Sequence, residues 1–132
     1  MAIFRYIPLM GVVLILYNVL AMSPSFSWNE TFDTMYLPSG GEVALSFSEA
    51  FIAFALVVLF VEVIKSTSIS NHAITEQVLS VLVFIAFLFQ YLNSKEAAEP
   101  TFFILTLMSL VEVLAGFIIL TKVARRDINF GG

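Results

Sequence analysis

Residues 101–121 read TFFILTLMSLVEVLAGFIILT, an unbroken run of 21 residues in which Glu112 is the only side chain that can carry a charge. A helix rises 1.5 Å per residue, so this run reaches about 30 Å, the thickness of the hydrocarbon layer of a bilayer. In lipid the backbone N–H and C=O groups all find hydrogen-bond partners only in a helix or a closed barrel. The run lacks the alternation of polar and apolar residues that a barrel strand shows. The stretch therefore predicts a transmembrane helix.

The composition of the whole chain agrees with that interpretation. Of its 132 residues 60% are apolar and 12% are charged, with a mean hydropathy of +0.99, whereas soluble domains carry about 25% charged residues. The net charge of −4 gives no basic surface for nucleic acid. The chain has no Cys and one His, which removes thiolate sites and any site built from two histidines. We expect a membrane protein with no metal, no cofactor and no nucleic-acid partner.

Three further stretches have the length and apolar character of a membrane span. Together with the first they give four predicted helices, at residues 6–22, 43–64, 74–92 and 101–121. Helix-ending residues, including Pro24 and Pro38, lie between the first two spans. The predicted fold is therefore all-α: a polytopic membrane protein with four transmembrane helices that form a bundle, in one domain covering residues 1–132.

The basic residues predict the direction of the spans, since cytoplasmic loops are enriched in Lys and Arg. If the amino terminus is cytoplasmic, five of the six basic residues fall on the cytoplasmic side and Lys95 falls outside. These five topology anchors are Arg5, Lys65, Lys122, Arg125 and Arg126. We therefore expect both termini in the cytoplasm.

The outer loop, residues 23–42, is rich in aromatic residues. It contains Phe26, Trp28, Phe32 and Tyr36 among acidic side chains. Aromatic rings that stay near the surface of a bilayer are favoured in its headgroup region. Two interpretations stay open: the loop is an interfacial lid over the bundle, or it is a docking surface for another protein.

A short similarity links the two halves of the chain. The segment FVEVI at residues 60–64 is similar to LVEVL at residues 110–114, and YNVL at residues 17–20 is similar to FQYL at residues 89–92. This pattern suits two helical hairpins of the same topology. Apolar helices also resemble one another by chance, so duplication and coincidence both stay open.

Polar residues inside the spans are the candidate functional residues, because a charge in the membrane costs about 2.5–3.5 kcal/mol on insertion scales. Glu112 is the most informative of them, roughly 15 Å along its helix from the outer end, and Ser109 shares its stripe. The other intramembrane candidates are Glu49 in the second span, Asn18 in the first and Gln90 in the third.

Three roles stay open for Glu112. The low dielectric disfavours a charged carboxylate, so a neutral Glu112 could donate a hydrogen bond to Gln90, Asn18 or a partner backbone and hold helices together. If its protonation state changes, it could relay protons or bind a cation. It could also face a cationic group of a partner subunit. Glu62, three residues before Lys65, is expected to be structural, pairing with that lysine or reaching lipid headgroups.

The sequence lacks the motifs of membrane or bundle enzymes. It contains no His-Glu-x-x-His, no Glu-x-x-His pair, no Gly-rich phosphate loop and no Gly-x-Ser-x-Gly elbow. We therefore expect a non-catalytic integral membrane subunit or accessory protein of a larger complex or a homo-oligomer. Its partners would be the bilayer and other membrane subunits or itself. The alternative is a small oligomeric proton- or ion-linked transporter or channel that uses Glu112.

Three short segments carry a family resemblance. They are Leu37-Pro38-Ser39-Gly40 before the second span, Thr101-Phe102-Phe103 at the start of the fourth, and Ala124-Arg125-Arg126-Asp127 after it. With the four-span layout, they make the chain resemble small four-helix inner-membrane proteins of proteobacteria. The resemblance implies a bacterial inner membrane and transfers no functional residue.

Overall fold

A computed structural model describes residues 7–67 and 73–131 of the chain, with the side chains of all of these except residues 123 and 126–131. Within these ranges the chain forms four α-helices, a two-stranded β-hairpin and one turn of 3-10 helix at Lys95–Ala97. The helices are α1 (Leu9–Ala21), α2 (Phe47–Ser66), α3 (Ala73–Asn93) and α4 (Pro100–Gly131). The strands are β1 (Thr31–Tyr36) and β2 (Glu42–Ser46).

Three of the four helices are long and apolar enough to cross a membrane. They are Phe47–Ser66, Ala73–Asn93 and the Pro100–Lys122 part of α4, which agree with three of the four predicted spans. The helix in the first predicted span is shorter than expected, because α1 has 13 residues and so rises about 20 Å. It begins directly after Pro8, whose ring nitrogen has no hydrogen to donate.

The four helices pack as two antiparallel hairpins that lie side by side. Helix α1 contacts α2 and α3, and α4 contacts the same two helices. Helices α1 and α3 run in one direction while α2 and α4 run in the other, so the main contacts between the two hairpins, α1 with α3 and α2 with α4, join parallel helices. One end of the bundle carries the β-hairpin and the loop before α4; we call it the hairpin end. The other, the Lys65 end, holds the end of α2 and the start of α3.

The β-hairpin corrects the all-α prediction and one helix boundary. Strands β1 and β2 pair antiparallel, with Tyr36 opposite Glu42 and a tight loop in which Gly40 adopts a φ of 89° that favours glycine. Because β2 uses residues 42–46, α2 begins at Phe47 rather than at the predicted residue 43. The strands could not be predicted from the sequence pattern, because they are short and because most of their side chains are exposed.

An aromatic cluster fills the bundle at the hairpin end. The Tyr17 ring stacks on Trp28 at a centroid distance of 4.7 Å and meets Phe102 edge to face at 4.9 Å. Phe51 packs against both Tyr17 and Trp28. The buried Tyr17 hydroxyl donates a 2.9 Å hydrogen bond to the carbonyl of Glu96. This cluster therefore joins three helices to the two connecting segments at this end.

We predict that Tyr17→Phe lowers the free energy of unfolding by about 0.5–1.5 kcal/mol, since it removes the hydroxyl that donates one hydrogen bond to the Glu96 carbonyl and keeps the ring contacts. Unfolding in mixed detergent micelles, followed by the fluorescence of the single tryptophan Trp28, measures the change. The control is Tyr36→Phe, whose ring is exposed on the β-hairpin. Equal effects of the two substitutions would contradict the role of the Tyr17 hydroxyl.

Candidate functional site

Glu112 lies in the interior of the bundle, as its stripe on α4 predicts. Its residue surface is 6% exposed, and Ser109 and Leu105 on the same stripe are buried with it. The Ser80 hydroxyl of α3 donates a 3.1 Å hydrogen bond to Glu112 Oε1. Glu112 therefore faces the neighbouring helices and not the lipid side of the bundle.

A second buried glutamate, Glu62 of α2, adjoins Glu112. Glu62 is 7% exposed, and its helix α2 packs against α4. Lys65 Nζ lies 3.2 Å from Glu62 Oε1, which agrees with the expected pair. The same ammonium group donates to the carbonyl of Ile7, just before α1, at 2.8 Å. Glu62 thus faces the interior of the bundle.

Gln77 completes this group of side chains from α3. It is buried, and its Nε2 donates a 3.0 Å hydrogen bond to the carbonyl of Val113 on α4. The amide oxygen lies against Gly116, where an added Cβ would be 2.0 Å away. Gly116 therefore admits the Gln77 side chain to the surface of α4.

We call this group the carboxyl cluster; it consists of Glu62, Lys65, Gln77, Ser80 and Glu112. Lys65 joins α2 to the residue that leads into α1, and Gln77 and Ser80 join α3 to α4. Among the described residues, no buried side-chain nitrogen or oxygen lacks a hydrogen-bond partner. In a low-dielectric interior these satisfied polar contacts stabilise the packing of the segments they join, since an unpaired member would be costly.

A smaller polar pair lies between the two parallel helices α1 and α3, nearer the hairpin end. Asn18 Nδ2 donates to Gln90 Oε1 at 3.1 Å and to the carbonyl of Leu14 at 2.9 Å. The amide of Gln90 donates in return to Asn18 Oδ1. Asn18 and Gln90, which the sequence singled out separately, therefore bind each other and are 72 residues apart along the chain.

The remaining candidates occupy other places. Glu49 is exposed in the first turn of α2, where its carboxylate accepts a hydrogen bond from the backbone N–H of Ser46 at 2.9 Å, so it caps the helix. Ser109 is buried beside Glu112, but its hydroxyl donates to the carbonyl of Thr106 on its own helix at 2.7 Å. Neither side chain joins the carboxyl cluster.

The topology anchors divide into three groups. Lys65 belongs to the carboxyl cluster, which the charge count along the sequence did not indicate. Lys122 and Arg125 are exposed beyond the Lys65 end of the bundle. Arg5 and the side chain of Arg126 lie outside the part of the chain that the structure describes.

The buried polar residues of the two hairpins lie at matching positions of the similar sequence segments. Glu62 and Glu112 occupy matching positions in FVEVI and LVEVL, and Asn18 and Gln90 occupy matching positions in YNVL and FQYL. Asn18 and Gln90 contact each other, and Glu62 and Glu112 are both buried on two helices that pack together. Side-by-side hairpins of the same direction would produce this result, because matching positions then lie at the same depth. This signal could have identified Glu62 as part of the site.

Within residues 7–67 and 73–131, no group of three or more His, Cys, Asp or Glu side chains is placed to hold a metal ion. Comparisons with protein-family models, with curated proteins and with solved structures find no match for this chain. Its function must therefore be inferred from its own residues.

We predict that Gly116→Ala destabilises the bundle relative to Gly11→Ala by about 1 kcal/mol, because the new methyl group displaces Gln77 from its bond to Val113. Gly11 is the matched control: it also lies in an apolar helix, and its added Cβ would meet Pro8 and Val83 at ordinary distances of 3.4 and 3.5 Å. Both substitutions gain helix propensity, so the difference between their changes in the free energy of unfolding measures the clash with Gln77. This difference should become smaller when both substitutions are made in the Gln77→Ala variant. A difference that persists there would contradict the clash.

Proposed function

We propose that this chain is a non-catalytic integral membrane protein of the bacterial inner membrane, which acts as a subunit or accessory protein by associating with other membrane proteins or with itself. In this proposal all four helices cross the membrane, with α1 as a short span inside the bundle. The observation that carries the proposal is an apolar, aromatic surface on the β-hairpin, outside the helices.

The hairpin surface consists of large side chains that the bundle leaves uncovered. Tyr36 is 73% exposed, and Phe32 and Met35 are each 48% exposed. Val43 of β2 lies opposite Met35, on the other face of the hairpin from Tyr36, and the loop between the strands adds Leu37, so apolar side chains are exposed on both faces. Clusters of exposed apolar residues beyond a protein core are typical of interaction sites. Aromatic rings at this position also suit the headgroup region, so the same surface can act beside the membrane.

The buried polar residues of the helices supply the second line of support. The carboxyl cluster and the Asn18–Gln90 pair bind within the chain, so they do not need a partner subunit to satisfy them. The outward-facing surfaces of the helices are apolar, which suits contact with lipid. Association at the β-hairpin is then the simplest way for the chain to recognise another protein.

The distribution of basic residues supports an orientation with both termini in the cytoplasm. Lys65 and the exposed residues Lys122 and Arg125 lie towards one end of the helices, and Lys95 lies at the other. Basic residues favour the cytoplasmic side. The β-hairpin would then lie on the outer side of the membrane.

Single cysteines test this orientation cleanly because the chain has none of its own. We expect a membrane-impermeant thiol reagent, added to intact cells, to label Glu42→Cys on the β-hairpin and to leave Arg125→Cys unlabelled until the membrane is opened. Each variant is the control for the other. Labelling of Arg125→Cys in intact cells would contradict the proposed orientation.

Extraction in native lipid followed by mass measurement of the intact particle tests association. We expect a particle larger than the 14.7 kDa chain. Tyr36→Ala should lower the mass of this particle, because it removes an exposed ring from the hairpin surface. The matched control is Phe89→Ala, which removes a ring that is 67% exposed on the outer face of α3 and should leave the particle intact. A lone chain in the unaltered protein would contradict the proposal.

A further inference from the structure

The β-hairpin is held against α2 at its base and is exposed at its tip. At the base, the Phe32 ring stacks on the ring of Phe47, the first residue of α2, at a centroid distance of 5.6 Å. Towards the tip, the directly opposed residues Met35 and Val43 are 48% and 39% exposed. A two-stranded hairpin is only marginally stable by itself, so a partner that covers the tip would stabilise it.

Each face of the hairpin combines apolar side chains with an acidic one. Side chains alternate between the two faces of a strand, so Asp33 shares the face of Met35 and Val43. On the other face, Glu42 lies directly opposite Tyr36. Asp33 and Glu42 are both exposed. A partner that covers either face therefore meets a carboxylate as well as apolar side chains.

The hairpin end as a whole is acidic. The segments that connect the helices there, together with the first turn of α2, contain six acidic residues and one basic residue. The acidic residues are Glu30, Asp33, Glu42, Glu49, Glu96 and Glu99, and the basic residue is Lys95. The net charge of this end is therefore −5, compared with −4 for the whole chain. The negative charge is concentrated on the side of the bundle that carries the hairpin surface.

This charge distinguishes between three classes of partner. Two copies of the chain with the same direction in one membrane would bring two acidic ends together, and like charges across an interface repel each other. The same repulsion opposes contact with anionic lipid headgroups. A protein surface that presents basic side chains beside apolar ones is instead attracted by the carboxylates.

We propose that the hairpin surface binds an unlike protein through a segment in which Lys or Arg side chains lie beside apolar ones. This inference rests on the proposed function, because it names the kind of partner with which the hairpin surface associates. Basic side chains of the partner pair with Asp33 and Glu42, and its apolar side chains cover Met35, Val43 and Tyr36. Exposed ion pairs are weak, so the carboxylates select the partner and the apolar contacts supply most of the affinity.

A pair of peptides tests this recognition. The probe is a labelled peptide of alternating lysine and valine, and its charge-reversed counterpart alternates glutamate and valine. The full chain is placed in nanodiscs of phosphatidylcholine, which carries no net charge, and fluorescence anisotropy measures binding, with empty nanodiscs as the blank. We expect the lysine peptide to bind, with an affinity that decreases as salt is added, and the glutamate peptide not to bind.

Single substitutions locate the binding site. Asp33→Asn and Glu42→Gln should each weaken binding of the lysine peptide by about two- to five-fold. An asparagine at position 33 can still accept the hydrogen bond from the backbone N–H of Thr34, so the local turn is kept. Tyr36→Ala should also weaken binding, because it removes an apolar contact. Glu76→Gln makes the same charge change in the first turn of α3, at the Lys65 end, and is the control that should leave the affinity unchanged.

The outcomes separate this inference from the proposed function. A lone chain in native lipid contradicts the proposed function itself. If the native-lipid particle instead contains only copies of this chain, or keeps an unlike partner in Asp33→Lys/Glu42→Lys, the chain associates but a basic partner is wrong.

Two further results would overturn the inference. One is an equal loss of peptide affinity in Glu42→Gln and Glu76→Gln, which would mean that the hairpin is not the site. The other is loss of thiol labelling of Glu42→Cys when phosphatidylglycerol replaces phosphatidylcholine, which would make anionic lipid the occupant of the hairpin surface.

Discussion

A polar group inside a bilayer must find its partner within the protein, because the acyl chains offer none. With the helices in the membrane as proposed, this requirement accounts for how they are arranged. Each helix carries a few polar side chains on an otherwise apolar surface, and the bundle brings those side chains into contact with one another. The carboxyl cluster meets the requirement near the Lys65 end and the Asn18–Gln90 pair meets it nearer the hairpin end, so helix contacts are specified at two depths.

The hairpin end depends on a different interaction. There the aromatic rings of Tyr17, Trp28, Phe51 and Phe102 pack together, and they bring the loop before α4 and the segment before β1 onto the helices. Aromatic packing needs no partner for a charge, so ring contacts rather than buried charged groups hold this end together. The short helix α1 contributes to both regions, through Tyr17 and Asn18 at one end and through the carbonyl before it at the other.

Hydropathy and helical spacing were enough to predict three long helices and the stripe that Glu112 shares with Ser109, and they singled out Asn18 and Gln90 as polar residues of their helices. They could not predict which polar residues would meet, because that depends on which helices are neighbours. The spacing of Glu62 and Lys65 predicts their ion pair, which the structure contains, but spacing alone does not predict that Glu62 is buried among the other helices. The role of Glu49 as a helix cap could not be predicted, because the strand Glu42–Ser46 looks like part of the apolar run and hides the start of α2 at Phe47.

The central claim is that the buried polar side chains of this bundle meet one another within a single chain. The contact between Ser48 on α2 and Thr101 on α4 tests it most directly, since their hydroxyl oxygens are 2.5 Å apart and the chain has no cysteine to interfere. In Ser48→Cys/Thr101→Cys, mild oxidation of native membranes should form a disulfide inside one chain, while Ser48→Cys/Ser109→Cys should not cross-link. A disulfide that forms only between two chains, or equal cross-linking of both pairs, would contradict the account.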